Sequence, residues 1–244
     1  MKNKYTIKEL LDTVDNPVEV YKRFANKFTK DDIMYAIDKN LELKYLIEYV
    51  KDKFDIEAIK YIIDKNKFKD KEEFFEILIK NLKDKFNKEL IKYIIIYNGL
   101  NTYVLYILYK DLADKFDEEL IKYAIDKGEN LYFLYEYVGY KFNKELIKYA
   151  IDKGIDLDAL YKYLRDKFDK ELIKYAIDKN AYLEALYYYL KNKFNKKLIK
   201  YAINKGVNLI NLYKYLEDKF DEELEQLYIE VVNEKRIYNK RIIR

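Results

Sequence analysis

Hydrophobic residues recur along this chain at the spacing of two short amphipathic helices. Residues 141–166 show the pattern most plainly, with apolar side chains at Leu146, Ile147, Ala150 and Ile151 and then at Leu157, Leu160, Tyr161 and Leu164. Both sets follow the i, i+3, i+4, i+7 spacing that places side chains on one side of an α-helix. The pattern predicts a helix pair, here called helix A and helix B, in which each helix has one side to bury.

The dipeptide Lys-Phe marks the start of each predicted pair. Its in-phase copies begin at Lys27, Lys53, Lys85, Lys115, Lys141, Lys167, Lys193 and Lys219, at intervals of 26, 32, 30, 26, 26, 26 and 26 residues. A fixed period in this range is typical of proteins built from stacked repeats. The Lys of each copy is taken below as repeat position 1.

Start and stop signals delimit helix A. Position 3 carries a preferred helix N-cap in every copy: Thr29, Asp55, Asn87, Asp117, Asn143, Asp169, Asn195 and Asp221. Position 14 carries a residue that tolerates the left-handed conformation ending many helices: Gly128, Gly154, Gly206, Asn40, Asn66, Asn98 or Asn180. Helix B is expected to begin after an N-cap at Asn130, Asp156 or Asn208 and to end at the next Lys-Phe.

Helices of about 10 to 12 residues are marginal alone in water, so stacking must hold them. We expect capping helices at 1–26, helical repeats over 27–218 and a C-terminal capping helix at 219–244. The predicted repeats are 27–52, 53–84, 85–114, 115–140, 141–166, 167–192 and 193–218. The last helix, Glu222 to about Ile242, begins acidic and ends basic, which complements the helix dipole.

These repeated helix pairs resemble the α-solenoid proteins, the broad group that includes tetratricopeptide and pentatricopeptide arrays. The resemblance is architectural, because the tetratricopeptide period of about 34 residues and its Trp, Gly and Pro pattern are absent. It implies an all-α fold, a right-handed α-solenoid of about eight short helix-pair repeats, with an extended binding surface.

The residue inventory disfavours an enzyme. The chain has no Cys, no His and no Ser, so the usual groups for covalent catalysis, general acid–base work and zinc binding are missing. We expect no catalytic residues, no cofactor and no metal. The chain also shows no apolar run of signal-peptide or membrane-spanning type, and the absence of Cys is compatible with a cytoplasmic protein. Its abundance of Lys, Asn, Ile and Tyr is typical of an AT-rich genome.

Nucleic-acid binding is the alternative function. A recurrent Lys-Tyr pair on the outer side of helix A has the chemistry to contact phosphates and stack on bases, and the C-terminal helix ends in basic residues. The candidate residues are Lys122, Tyr123, Lys148, Tyr149, Lys174, Tyr175, Arg236, Lys240, Arg241 and Arg244. A net charge of only +4, from 48 basic and 44 acidic residues, argues against this alternative. A solvated outer side, with Tyr rings covering neighbouring repeats, is the competing interpretation.

A protein partner is the leading prediction, by elimination and from the repeat architecture. The outward positions of helix B vary, and the two longer repeats carry apolar residues that cannot all point inward; drift at unconstrained surface sites and a locally thicker core are the competing interpretations of these features. The candidate protein-binding residues are Ile96, Tyr97, Tyr103, Tyr106, Ile107, Tyr132, Phe133 and Tyr188. Exposed Tyr and Ile clusters are typical of protein interfaces. An adaptor and an inhibitor of a larger protein or effector complex both fit this pattern, and the sequence does not fix the oligomeric state.

Overall fold

The computed structural model describes residues 5–65, 71–97, 102–206 and 208–242, and within these ranges the chain is all α with no β-strand. Its α-helices are α1 (Ile7–Thr13), α2 (Pro17–Phe24), α3 (Lys30–Asp38), α4 (Leu43–Val50), α5 (Ile56–Lys65), α6 (Lys71–Leu82), α7 (Lys88–Ile95), α8 (Thr102–Asp111), α9 (Glu118–Lys127), α10 (Leu131–Phe133), α11 (Lys144–Lys153), α12 (Leu157–Tyr163), α13 (Lys170–Asp178), α14 (Leu183–Tyr189), α15 (Lys196–Lys205), α16 (Leu209–Leu216) and α17 (Glu222–Ile242). From α3 onward, odd-numbered helices are A helices and even-numbered ones are B helices.

Each helix B passes into a single 3-10 turn that ends on the Lys of the next Lys-Phe. These turns are Ala25–Lys27, Lys51–Lys53, Lys83–Lys85, Ala113–Lys115, Gly139–Lys141, Arg165–Lys167, Lys191–Lys193 and Glu217–Lys219. The following Phe is extended, for example with φ −70° and ψ 123° at Phe142. The extended Phe lets the next helix A start in a new direction.

The predicted helix A starts are confirmed at all eight positions. The side chain at position 3 accepts a hydrogen bond from a backbone N–H in the first turn of the helix, as when Asn143 accepts from Leu146 at 2.9 Å. The same bond is present at Thr29, Asp55, Asn87, Asp117, Asp169, Asn195 and Asp221. The cap satisfies one of the backbone donors that a helix start leaves without an intrahelical partner.

The turn from helix A to helix B uses two left-handed residues. Position 14 has φ 67° at Gly154 and φ 52° at Asn180, as predicted, whereas Asn66 and Asn98 lie outside the described residues. Position 16 is also left-handed, with φ 51° at Asp156, and its side chain does not cap helix B. Asn130, Asp156 and Asn208 occupy the N-cap position of helix B, as predicted, and each adopts the left-handed conformation there.

The chain divides into two compact units, Met1–Phe116 and Asp117–Arg244. In the first, α2, α4, α6 and α8 pack in succession, and α3 packs on α5. In the second, α9, α11, α13, α15 and α17 pack in succession, as do α12, α14 and α16. Each unit thus has a helical-repeat architecture in which A helices contact A helices and B helices contact B helices.

The predicted inward positions form the core. Leu146, Ile147, Ala150 and Ile151 of helix A and Leu157, Leu160, Tyr161 and Leu164 of helix B are all buried. The Tyr at position 21 packs edge-on against the next Phe at position 2, with ring centroids 5.4 Å apart for Tyr161 and Phe168. The Tyr161 hydroxyl donates to the Ala181 carbonyl at 2.6 Å, so the buried phenol is satisfied.

Candidate protein-binding surface

The outer side of the A helices is tied together by a repeated polar contact. The hydroxyl of Tyr175 donates to the carboxylate of Asp152 in the preceding repeat at 2.7 Å, and the ammonium of Lys179 pairs with the same carboxylate at 2.6 Å. We call this arrangement the Tyr–Asp–Lys triad. It recurs as Tyr149–Asp126–Lys153, Tyr201–Asp178–Lys205, Tyr61–Asp38–Lys65 and Tyr35–Asp12–Lys39.

The triads shift the pKa values of their members in a consistent direction. Hydrogen bonds from Lys179 and Tyr175 hold the pKa of Asp152 below its ordinary value, and Asp126 behaves in the same way. Burial and the hydrogen bond to Asp152 raise the pKa of Tyr175. Both shifts favour the ionised carboxylate and the neutral phenol, the forms that make the contact near neutral pH.

The candidate nucleic-acid ladder lies on this same side, and its cations face groups of the chain itself. Lys148 pairs with Glu171 at 2.8 Å, and Lys122 pairs with Glu118 at 2.7 Å. The Lys174 ammonium lies 4.7 Å from the centroid of the Tyr201 ring. Lys127 similarly covers the ring of Tyr123. The geometry matches the interpretation of a solvated side whose Tyr rings cover neighbouring repeats.

The basic C-terminal candidates are less well defined. Arg236, Lys240 and Arg241 fall on α17, but their side chains lie outside the described residues, as does the whole of Arg244. The structure thus confirms only that a single helix carries the three residues, as the sequence predicts.

The Lys of three Lys-Phe copies has a structural role that its sequence position did not reveal. The Lys167 ammonium donates to the Phe142 carbonyl of the preceding repeat at 2.8 Å and to the Tyr140 carbonyl just before it at 3.0 Å. Lys193 and Lys219 make the equivalent bond to Phe168 and Phe194. These lysines therefore connect successive Lys-Phe segments, and the recurrence of the dipeptide is the only sequence signal of this contact.

The outer side of the B helices is more aromatic and more varied. The Tyr at position 23 contacts position 18 of the preceding repeat, and the residue at position 18 changes. Tyr189 donates to Asp158 at 3.2 Å, and Tyr215 donates to Glu184 at 2.8 Å. In repeat 141–166, Tyr163 instead meets the ring of Tyr132 of the preceding repeat edge-on, with centroids 4.7 Å apart. The contact is retained while its chemistry changes.

Six rings on this side of the second unit form two groups, and we call the two groups together the aromatic surface. Tyr132, Phe133 and Tyr163 form one group, and Tyr188, Tyr189 and Tyr215 form the other. Tyr188 is 60% exposed and Tyr132 is 37% exposed, as their selection as candidates predicts. The Lys162 ammonium lies 5.3 Å from the Tyr132 centroid and 4.9 Å from that of Tyr163, which places a cation among the rings.

Position 19 is exposed at Tyr45 but points inward in two repeats of the second unit, and this corrects part of the helix B prediction. Ala159 and Ala185 at this position are buried, and the candidate Phe133 is half-buried. Phe133 is followed by a π-helical turn at Leu134–Val138 and then by Gly139, where an added Cβ would lie 2.6 Å from Cδ2 of Leu164. The π turn sits directly beside the aromatic surface, where π-helical segments are frequently functional.

In the first unit, the candidates of the two longer repeats divide between two places. Tyr103, Tyr106 and Ile107 lie on α8 and line a groove of about 540 Å³ between α6 and α8. The remaining lining residues are Glu76, Ile79, Lys80, Lys83, Lys110 and Asp111. Ile96 and Tyr97 instead lie at the end of helix α7. Ile96 is 49% exposed, and the Tyr97 hydroxyl donates to the Ile63 carbonyl at 3.0 Å.

The expectation that Ile107 is an exposed contact residue is wrong. Its side chain is only 3% exposed, because it packs inward where α8 meets α6 and so belongs to the bottom of the groove. Tyr103 and Tyr106 are half-buried, with ring centroids 5.5 Å apart, and form one wall. The groove thus combines two of the candidate tyrosines with lysines that the sequence had not singled out.

No described helix combines the length and apolar character needed to cross a membrane. Within the described ranges, no group of three or more carboxylates is placed to hold a metal ion. Comparison of the chain with models of known protein families, with curated proteins and with solved structures finds no match. The surfaces themselves therefore carry the functional argument.

Proposed function

We propose that this chain is a non-catalytic helical-repeat scaffold that binds another protein through the outer side of its B helices. The observation that carries the proposal is the aromatic surface. Tyr188 and Tyr132 are each exposed within a group of three rings, while the regular polar groups of the A helices contact one another. Tyr is enriched among the residues that dominate binding energy at protein interfaces.

The finer architecture belongs to the same proposal. Successive A–A and B–B packing within each unit supports a right-handed α-solenoid of about eight helix pairs, a class that presents extended binding surfaces. Variation at position 18, from Tyr132 to Asp158 to Glu184, would then give each repeat its own contact with an irregular partner. Adaptor and inhibitor roles both use such a surface.

The test compares capture of a partner by the wild-type chain and by the double variant Tyr132→Ala, Tyr188→Ala. Extract from the native host is passed over each immobilised chain, and retained proteins are compared by quantitative mass spectrometry. Affinity for the purified partner is then measured by calorimetry. We expect the double variant to bind at least about tenfold more weakly, because both rings lose their contact area.

Tyr5→Ala is the matched control, since Tyr5 is 57% exposed and belongs to the first unit and not to the aromatic surface. It should bind like the wild type. Equal affinity of the double variant and the wild type would refute docking through the aromatic surface. Specific retention of nucleic acid that is lost in Lys148→Ala, Lys174→Ala would favour the alternative function instead.

A further inference from the structure

The groove between α6 and α8 differs from the other B–B junctions in the length of its helices. α6 has 12 residues and α8 has 10, whereas α12, α14 and α16 have 7, 7 and 8. The longer helices belong to the two repeats that depart from the 26-residue period. The departure therefore has a local structural result, a groove along a longer helix–helix contact.

Two carboxylates near this groove are engaged by groups of the chain, whereas a third, Asp111, lines the groove and is exposed. Glu76 accepts a hydrogen bond from the Tyr103 hydroxyl at 2.5 Å, and Asp114 pairs with Lys83 at 3.2 Å. On the opposite wall, the Lys110 ammonium donates to the Tyr106 hydroxyl at 2.9 Å and lies 5.1 Å from that ring's centroid. These contacts fix the two phenol rings as an apolar wall beside a cationic end.

Lys80 is the cation in this groove that the chain leaves without a counter-charge. It is exposed, it lines the groove from the α6 side, and no described residue forms an ion pair or hydrogen bond with it. An ammonium next to half-exposed phenol rings suits a ligand that combines a negative charge with an apolar group. Charge complementarity thus favours a partner that carries a negative charge beside an apolar group.

We propose that this groove binds a segment of a partner protein that carries carboxylates beside an apolar side chain. The apolar side chain packs against the rings of Tyr103 and Tyr106, and a carboxylate pairs with Lys80. The inference rests on the proposed protein-binding function and adds the chemistry of the partner at a second place on the B-helix side.

Fluorescence anisotropy with labelled peptides tests this chemistry on the full chain. The probe EELEELEE supplies both features, EESEESEE lacks the apolar side chain, and KKLKKLKK reverses the charge. We expect EELEELEE to bind at least about tenfold more tightly than either control peptide. We also expect its amide-exchange footprint to fall on α8, a readout that needs no variant.

Lys80→Glu should weaken binding of EELEELEE by at least about tenfold, because it replaces attraction with repulsion. Tyr106→Ser should weaken it through loss of ring contact. Lys197→Glu is the matched control, since Lys197 is also exposed and, within the described chain, also has no ion-pair partner. It should leave the affinity within about twofold of the wild type.

Four results would overturn the inference. They are no binding of EELEELEE, equal binding of EESEESEE, binding that Lys80→Glu leaves unchanged, and a dimer in sedimentation that Lys80→Glu dissociates, because a second copy would then be the occupant. The proposed function fails separately. If the affinity for a partner depends on Tyr132 and Tyr188 but not on Lys80, the proposed function stands and the inference that the groove binds the partner is refuted.

Discussion

The A helices and the B helices both place tyrosines on their outer sides, yet the two sides use them differently. On the A side, Tyr175 meets an Asp and a Lys in an arrangement that recurs in four other places. On the B side, the Tyr at position 23 meets a tyrosine, an aspartate or a glutamate, and additional rings such as Tyr188 remain exposed. Polar side chains that pair in the same way in many repeats are typical of contacts that hold stacked helices together. Side chains that vary between repeats and remain exposed are typical of a surface that binds a partner.

Helix B itself contains the strongest contrast, between an inward and an outward tyrosine. Tyr161 is fully buried and hydrogen-bonded, so Tyr161→Ala should lower the free energy of unfolding by about 3–5 kcal/mol. Tyr188→Ala removes an exposed ring and should change it by no more than about 0.5 kcal/mol. Urea denaturation measures both values. Similar losses in the two variants would mean that the aromatic surface is structural.

The close packing of Gly139 against Leu164, beside the π turn, should give the next largest effect on stability. Gly139→Ala places a Cβ 2.6 Å from Cδ2 of the buried Leu164. We therefore expect the free energy of unfolding, measured by thermal denaturation, to fall by about 1–3 kcal/mol. In the double variant with Leu164→Ala, the two losses should be less than additive, because the clash disappears. Strict additivity would show that the glycine is not required for this packing.

Disruption of a single A-side triad should lower the free energy of unfolding by less than the core variants above. Asp152→Asn removes the carboxylate that Tyr175 and Lys179 share, and since the site is 43% exposed, solvent limits the loss to about 0.5–1 kcal/mol. Asp166→Asn changes a carboxylate that is 94% exposed and should leave the free energy of unfolding unchanged. A double-mutant cycle of Asp152→Asn with Tyr175→Phe should show coupling. If the two changes in the free energy of unfolding are additive, the Tyr, Asp and Lys of the triad do not act as an energetic unit.

The smallest expected effect is the pH dependence of the triads. The pKa of Asp152 lies below the ordinary Asp value of 3.8, so its contribution is present above that value and is lost as pH falls through the lower one. The pKa of Tyr175 lies above the ordinary 10.0, so its contribution is lost as pH rises beyond that value. Unfolding followed by circular dichroism should show a flatter acid limb when Asp126, Asp152 and Asp178 are all replaced by Asn. An unchanged limb would contradict the assignment.

Much of the helix plan could be predicted from the sequence because its signals are local. A position 3 cap such as Asn143 and a left-handed stop such as Gly154 act within one turn of the chain, so neighbouring residues suffice to identify them. The continuous C-terminal helix, Glu222–Ile242, followed from the absence of a stop signal.

The contacts that define the two sides could not be predicted, because they join residues in different repeats. Lys and Tyr were recognised as a recurrent outward pair of helix A, but pairing Tyr175 with Asp152 requires knowing how far successive A helices are displaced. The same applies to the lysine–carbonyl bond of Lys167 and to burial of Ile107 under α6. The left-handed turn at Asp156 also competes with side-chain capping in a way that residue type does not decide.

The lysines of three Lys-Phe copies, which bond to a carbonyl one repeat earlier, have a consequence for how such a chain can lengthen. Duplication of the gene segment that encodes one 26-residue repeat inserts a lysine that can bond to the carbonyl before it and a carbonyl to which the next lysine can bond. The same holds for a copied Tyr, Asp and Lys on the A side. Growth by whole copies therefore preserves these contacts, which favours gain or loss of intact segments during evolution.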